Sequence, residues 1–167
     1  MPMTKVGIIA DTHDNIVAAD SAIDLFNSRG VELVIHAGDW NAPFTLARFA
    51  KSKTRVIGVF GNIDGDRDAL LSRAERIGVQ ILGNLAEVEV GGVKIAVIHG
   101  KDERVVEALA KSGTYGIVIR GHTHRPDVRS MGPTLVINPG EACGYLTGKR
   151  TIAVLDTDTL GTEIVEI

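Results

Sequence analysis

The sequence predicts an α/β fold in which two mixed β-sheets pack as a sandwich, with helices on the outer faces. Three patterns carry this expectation. Up to Gly78, short apolar runs alternate with amphipathic stretches, the pattern of parallel strands joined through helices. A glycine-linked pair of apolar runs then reads as a hairpin. From Val128 onward the helical period disappears, and short strands alternate with turns.

Val6 to Ala10 is a short apolar run with β-branched residues, expected as a strand buried on both faces. Ile16 to Arg29 carries Ile16, Val17, Ala19, Ile23 and Phe26 near a 3.6-residue period and stops at Gly30, a natural helix end. Glu32 to Ala37 is the next strand, and Ala42 to Lys51 the next helix, with Pro43 in its first turn where a missing N–H does no harm. Thr54 to Phe60 is a third strand, followed by a helix from Asp66 to Ile77 that Gly78 closes. Ala86 to Val90 and Val93 to Ile98 flank Gly91-Gly92 as a hairpin. Asp102 to Ser112 is a helix that Asp102 can cap, and Tyr115 to Arg120 is a strand. Strands near Val128–Ser130, Thr134–Asn138, Thr151–Asp156 and Thr162–Glu166 complete the chain, separated by turns at Gly132-Pro133, Pro139-Gly140, Gly148 and Asp158.

At 167 residues the chain is expected to be a single domain spanning 1–167, with no linker or repeat to suggest a second. The net charge of −3 gives no global pull toward nucleic acid or an anionic membrane, so bulk nucleic-acid binding is not expected. No apolar run approaches the roughly 18 residues of a membrane span. Met1 to Thr4 lead straight into the first strand and leave no room for a secretory signal. The single cysteine, Cys143, excludes an intrachain disulfide, so a cytoplasmic setting is expected. An antiparallel edge in the second half could pair with a copy of itself, which keeps a homo-oligomer open.

Five of the strands stop at side chains able to bind a metal: Asp11/His13, Asp39, Asn62, His99 and His122/His124. On extended backbone Asp11 and His13 would point the same way. In open α/β sheets ligands bind beyond the carboxyl ends of the strands, so these five junctions are expected to converge there. Gly38, Gly61 and Gly121 each precede a candidate ligand and Gly100 follows one, which permits close backbone approach. The fifth histidine, His36, sits inside a strand and reads as a hydrogen-bonded core residue.

Asp11-Thr12-His13, Gly38-Asp39, Gly61-Asn62, Ile98-His99-Gly100 and Gly121-His122-Thr123-His124 resemble, in order and over nearly the whole chain, the motifs of the calcineurin-like metallophosphoesterases, most of all their small prokaryotic phosphodiesterase branch. The resemblance implies an α/β/β/α sandwich holding two divalent metals. Asp11, His13 and His124 would bind the first, Asn62, His99 and His122 the second, and Asp39 would bridge them. It also implies a hydrolase that attacks phosphorus with a bridging hydroxide. Two divalent ions bring four positive charges, of which Asp11, Asp39 and the hydroxide offset three, and the remainder suits a phosphate anion. Mixed nitrogen and oxygen ligands fit Mn²⁺, Ni²⁺, Fe²⁺ or Zn²⁺ better than Ca²⁺; Mn²⁺ is the first choice, with Mg²⁺ a further alternative.

One departure bears on the substrate. Many members of this superfamily carry a histidine directly after the motif asparagine, but here Ile63 stands there, followed by Asp64. Asp64 is therefore the candidate general acid if its pKa is raised; otherwise it is a turn or capping carboxylate. A site without an acid favours a small phosphodiester, or another phosphorylated substrate with a stable leaving group, over an alkyl monoester. Arg125 either steadies a phosphate or lies exposed. Asn138-Pro139-Gly140 resembles the family's late loop near the metals or is a plain turn, Trp40 lines the pocket or packs, and Cys143 reads as an inert thiol. The absence of a G-x-G-x-x-G or P-loop lysine motif argues against a nucleotide cofactor. The rival to an enzyme is a protein-docking scaffold of the same fold, like the retromer subunit; hydrolysis of a non-phosphate ester or amide is a third reading.

Overall fold

The computed structural model describes residues 4–167. The expectation that no leader precedes the first strand rests on Met1–Met3, outside the described residues. The first half runs β1 (Lys5–Ile9), α1 (Ile16–Arg29), β2 (Leu33–His36), α2 (Pro43–Leu46) leading into a 3₁₀ turn (Ala47–Lys51), β3 (Arg55–Gly58), α3 (Arg67–Ile77) and β4 (Val79–Ile81). The second half runs β5 (Leu85–Val90), β6 (Val93–Ile98), α4 (Glu103–Lys111), β7 (Ile117–Ile119), β8 (Pro126–Met131), β9 (Thr134–Pro139), β10 (Thr151–Asp156) and β11 (Thr162–Glu166).

These strands form two mixed sheets, as the sequence predicts. The six-stranded sheet has the order β11-β10-β1-β2-β3-β4, parallel from β1 to β4, with β10 and β11 antiparallel. The five-stranded sheet has the order β5-β6-β7-β9-β8, parallel through its centre and antiparallel at both edges. Alternation along each strand divides the apolar side chains between layers. Val6, Ile8 and Ala10 face the second sheet and meet Ile95, Val97, Ile117, Ile119 and Ile137. Ile9 faces the other way, with Ala19, Ile23 and Phe26 of α1 and Leu70 and Ala74 of α3. On the far side Ala96, Val118 and Val136 pack against Val106 and Ala110 of α4. Three apolar layers between four structural ones make an α/β/β/α sandwich.

Helix ends follow local chemistry. Asn15, Asp66 and Asp102 cap α1, α3 and α4 with their side chains, while Gly30 and Gly78 end α1 and α3 in left-handed backbone. Two elements depart from expectation. The helix foreseen from Ala42 to Lys51 is one short α-turn that tightens to 3₁₀ at Ala47, sending Phe49 into the core and setting Arg48 and Lys51 on Asp20. The three-residue β4 extends the sheet past β3, and a strand that short carries no readable period.

Candidate metal centre

The parallel strands β1, β2, β3, β6 and β7 each end just before a candidate ligand, at one rim of the sandwich. The backbone there is unusual. Asp11, His13, Asp39, His122 and His124 all have left-handed φ, from 38° to 73°. Such backbone costs a non-glycine residue about 1–2 kcal/mol and persists only where the surroundings enforce it. This corrects the expectation that Asp11 and His13 share a direction by strand alternation: β1 ends at Ile9, and the chain then curls. Bonds between loops hold the curl, with the Asp11 N–H on the Gly38 carbonyl (3.0 Å) and the His13 N–H on the Asp39 carbonyl (3.2 Å).

The curled loops aim their side chains inward. Asp11 Oδ1 lies 3.5 Å from His13 Nε2, 3.4 Å from His124 Nε2 and 3.9 Å from His99 Nε2. Asp39 Oδ2 lies 3.4 Å from His13 Nε2 and 3.1 Å from His99 Nε2. One ligand atom from each of Asp11, His13 and His124 falls within 4.8 Å of the others, and so does one from each of Asp11, Asp39 and His99. The His122 ring stands beside that of His99, centroids 5.2 Å apart, and its Nδ1 is 3.0 Å from Asn62 Oδ1. The seven ligand candidates thus gather at one place, five at the centre and Asn62 with His122 at its rim.

The chemistry of this donor set suits cations. Asp11 Oδ1, His13 Nε2 and His99 Nε2 are buried without a hydrogen-bond partner among the described residues, which is costly unless something else satisfies them. Burial opposes protonation of His13 and His99, yet Asp11 and Asp39 hold both imidazoles above their ordinary pKa. A field that draws protons onto buried imidazoles also draws divalent cations. Tautomers are fixed from behind: His99 Nδ1–H donates to the Ala37 carbonyl (2.8 Å), which turns Nε2 to the centre.

Glycine spacing has a direct cause here. A Cβ on Gly38 would stand 2.8 Å from His99 Nδ1, one on Gly121 would stand 2.9 Å from Asp11 Oδ2, and one on Gly61 would collide with the Asp39 carboxylate. The other candidates divide. Asp64 is buried beneath the centre: its Oδ2 accepts the Asp39 and Gly61 N–H groups (3.1 and 2.7 Å), and its Oδ1 accepts that of Asn41 (2.8 Å). Burial, with the Asp39 charge nearby, raises its pKa against the lowering effect of these amides. Both oxygens are engaged in tying the β2 and β3 loops together, which is the turn-carboxylate arrangement. Arg125 is exposed and does not line the cleft at the centre. His36 and Trp40 are core residues: their rings stack with centroids 3.6 Å apart, His36 bonds Thr12 and the Gly38 N–H, and Trp40 Nε1 donates to the Val59 carbonyl.

Asp64→Asn would set an amide N–H₂ against backbone donors, and a buried unsatisfied donor costs about 1–3 kcal/mol. The variant is expected to unfold in urea with about 2 kcal/mol less stability, while the dependence of rate on leaving-group pKa is unchanged. Unaltered stability with selective loss on poor leaving groups would instead assign Asp64 as the acid.

Two further residues hold the site and escaped the sequence reading. Glu141 is fully buried and accepts from His124 Nδ1, the Leu146 and Thr147 N–H groups, the Thr147 hydroxyl and the Cys143 thiol. Burial opposes its ionisation, but these donors hold its carboxyl down at about 2. Burial, aided by Glu141, pushes the Cys143 thiol up to about 12, so it is inert, although Cys143, Glu141 and His124 form a compact ligand-like trio. Glu141 follows Asn138-Pro139-Gly140, whose Asn138 amide donates to the Gly121 carbonyl; that late loop was the available signal. Arg120 is buried between the β6 and β7 loops. It donates Nη2 to the Gly100 carbonyl (2.7 Å) and Nε to the Gly121 carbonyl (3.1 Å), and pairs with Glu103.

Comparison with known proteins agrees with this architecture. The family model of the calcineurin-like phosphoesterase superfamily domain matches residues 4–160. The protein named phosphodiesterase MJ0936 from Methanocaldococcus jannaschii is 41% identical over 155 residues, covering 92% of this chain and 93% of its own. A solved structure described as a novel archaeal phosphodiesterase superposes with a TM-score of 0.94 at 38% identity, over 98% of this chain and 100% of that one. Vps29 of Chaetomium thermophilum shares the fold, with a TM-score of 0.71 at 14% identity over 98% of this chain and 94% of that one. Motifs, sandwich and family match coincide, and the chain belongs to the calcineurin-like phosphoesterase superfamily.

Proposed function

We propose that this protein is a metal-dependent phosphodiesterase working through a dinuclear centre, with Mn²⁺ as the preferred ion. The observation that carries the reading is the convergence of three buried, unpartnered ligand atoms, from Asp11, His13 and His99, next to an open cleft of about 580 Å³ that His13, Asp39, Asn62, His122 and His124 line. The archaeal relatives named phosphodiesterases support the choice of ester. Asp11, His13 and His124 would hold one ion, Asn62, His99 and His122 the other, and Asp39 would serve both. Such a pair would supply a nucleophile from water at neutral pH and an electrophilic seat for phosphate oxygens.

The chain's own residues set what the site can accept. Asp11 and Asp39 are the only carboxylates in the proposed ligand set, so a phosphate anion meets little repulsion there. Neutral Asn62 offers an oxygen without adding negative charge. Ile63, half exposed at the cleft, stands where a proton donor would assist a leaving group, and Asp64 is engaged below. Departure therefore depends on the stability of the leaving group, which favours diesters with acidic alcohols. A cytoplasmic setting, with the lone thiol reduced, suits this reading.

Protein supplied with Mn²⁺ is expected to hydrolyse bis(para-nitrophenyl) phosphate with a kcat/KM at least about tenfold above that for para-nitrophenyl phosphate, and a chelator should stop both. Lack of turnover with Mn²⁺, Ni²⁺, Fe²⁺, Zn²⁺ and Mg²⁺ alike would overturn the proposal. A docking scaffold would bind a partner and hydrolyse nothing.

A further inference from the structure

A second cleft opens on the other side of Asn62. It has a volume of about 240 Å³, and Asn62 and His99 border it. The first cleft shares Asn62 but is bordered by His13, Asp39, His122 and His124, so the two openings meet at Asn62 and reach the proposed centre through different ligand side chains. Phe60, Ile98 and Val105 give the second cleft its apolar surface, with Arg67, Asn84 and Lys101 around it.

This small cleft is built rather than incidental. The Arg67 guanidinium lies 4.6 Å from the centroid of the Phe60 ring, donates Nη1 to Asn84 Oδ1 (2.9 Å) and donates Nε to the Asp64 carbonyl (3.3 Å). A long side chain pinned at three points forms a fixed wall. Asp102, also at the cleft, is taken up by capping α4 and pairing with Arg104. Lys101 and Arg67 thus make that edge cationic. The first cleft has its own apolar border of Ile63, Tyr145 and Leu146, which are 51%, 63% and 75% exposed. Exposed apolar side chains scattered singly mean little, but these stand together beside the metal-binding side chains.

We propose that the two clefts receive the two ester arms of a phosphodiester, with the cleft beside His99 taking one ring-sized group that turns hydrogen-bond acceptors toward Arg67 and Lys101. The inference rests on the phosphodiesterase reading and specifies its substrate class: a diester with two organic groups, at least one a single ring. A volume of about 240 Å³ is below the roughly 300–1,000 Å³ of pockets for drug-sized ligands, so one ring fills it. A monoester has a single arm and leaves one cleft empty.

Val105 on α4 and Leu146 in the late loop are exposed, and tryptophan at either position would obstruct one cleft without disturbing the core. Kinetics with Mn²⁺ should compare Val105→Trp and Leu146→Trp on bis(para-nitrophenyl) phosphate and on methyl para-nitrophenyl phosphate, whose methyl arm needs no cleft. Both variants are expected to raise KM for the bis-aryl ester about tenfold, the worth of burying one ring. Only one of the two should do so for the methyl ester. A KM within about twofold of wild type for Val105→Trp on the bis-aryl ester, while wild type turns over both esters, overturns the two-arm assignment and leaves the phosphodiesterase reading standing. Equal impairment of the methyl ester by both variants also overturns it. Failure of the wild-type protein to hydrolyse either diester overturns both.

Discussion

Asp39→Ala is expected to lose bound cations and turnover together, with kcat/KM falling by at least about a thousandfold, the scale of several kcal/mol of lost transition-state stabilisation. Asp39 is 1% exposed, its Oδ2 is the nearest carboxylate oxygen to His99 Nε2, and its Oδ1 accepts the Ile63 N–H (2.9 Å). Deleting the carboxylate leaves His13 and His99 facing each other with only Asp11 to offset a cation. Asp39→Asn separates charge from shape, because an amide oxygen can still accept from Ile63. Both variants should lose metal on dialysis, and the asparagine variant should stay closer to wild type in unfolding. Metal content by plasma mass spectrometry and kcat/KM on an aryl diester check this. Undiminished turnover in Asp39→Ala would remove Asp39 from the mechanism.

Glu141 is expected to control stability in acid. Its carboxyl sits at about 2 in the fold against a reference value of 4.5, so the folded state favours the ionised form. The resulting stabilisation is fully present above about pH 4.5 and is lost as pH falls toward about 2. Its size is about 3 kcal/mol. Glu141→Gln keeps one acceptor oxygen but turns an N–H₂ toward an array of donors, so the variant should be less stable by about that amount at neutral pH. The gap between variant and wild type should shrink as both are taken toward pH 3. Urea unfolding in a chelator at the two pH values measures it, and an equal gap at both would rule out the ionised carboxylate as the cause. Because Glu141 fixes the His124 tautomer, the same variant should bind metal about 10–100-fold more weakly.

Much of the fold was legible because it repeats a period. Ile16–Arg29, Thr151–Asp156 and Thr162–Glu166 appear with the bounds their apolar spacing suggests, and Gly91-Gly92 turns the hairpin where it should. The coming together of Asp11, Asp39, His99 and His124 followed from the rule that ligands lie beyond the carboxyl ends of strands. The means of convergence did not follow. Nothing in the letters Asp or His announces left-handed backbone, and it is this curl, rather than strand alternation, that brings Asp11 and His13 to one point. Arg120 and Glu141 were missed, and the loops that Asp64 joins were not foreseen, for a related reason. Each acts through bonds to loops distant in the chain, as when Asp64 ties Gly61 to Asp39 and Arg120 ties Gly100 to Gly121, and such bonds exist only once the strands have assembled. β4 was too short to show any period at all.

The proposed mechanism depends on two cations sharing Asp39, and anomalous diffraction at the manganese edge from crystals grown with Mn²⁺ tests that point most directly. Two peaks about 3.5–4 Å apart are expected, one against Asp11, His13 and His124 and the other against Asn62, His99 and His122, with the Asp39 carboxylate reaching both. A single peak, or a pair that leaves Asn62 and His122 unengaged, would contradict the dinuclear centre.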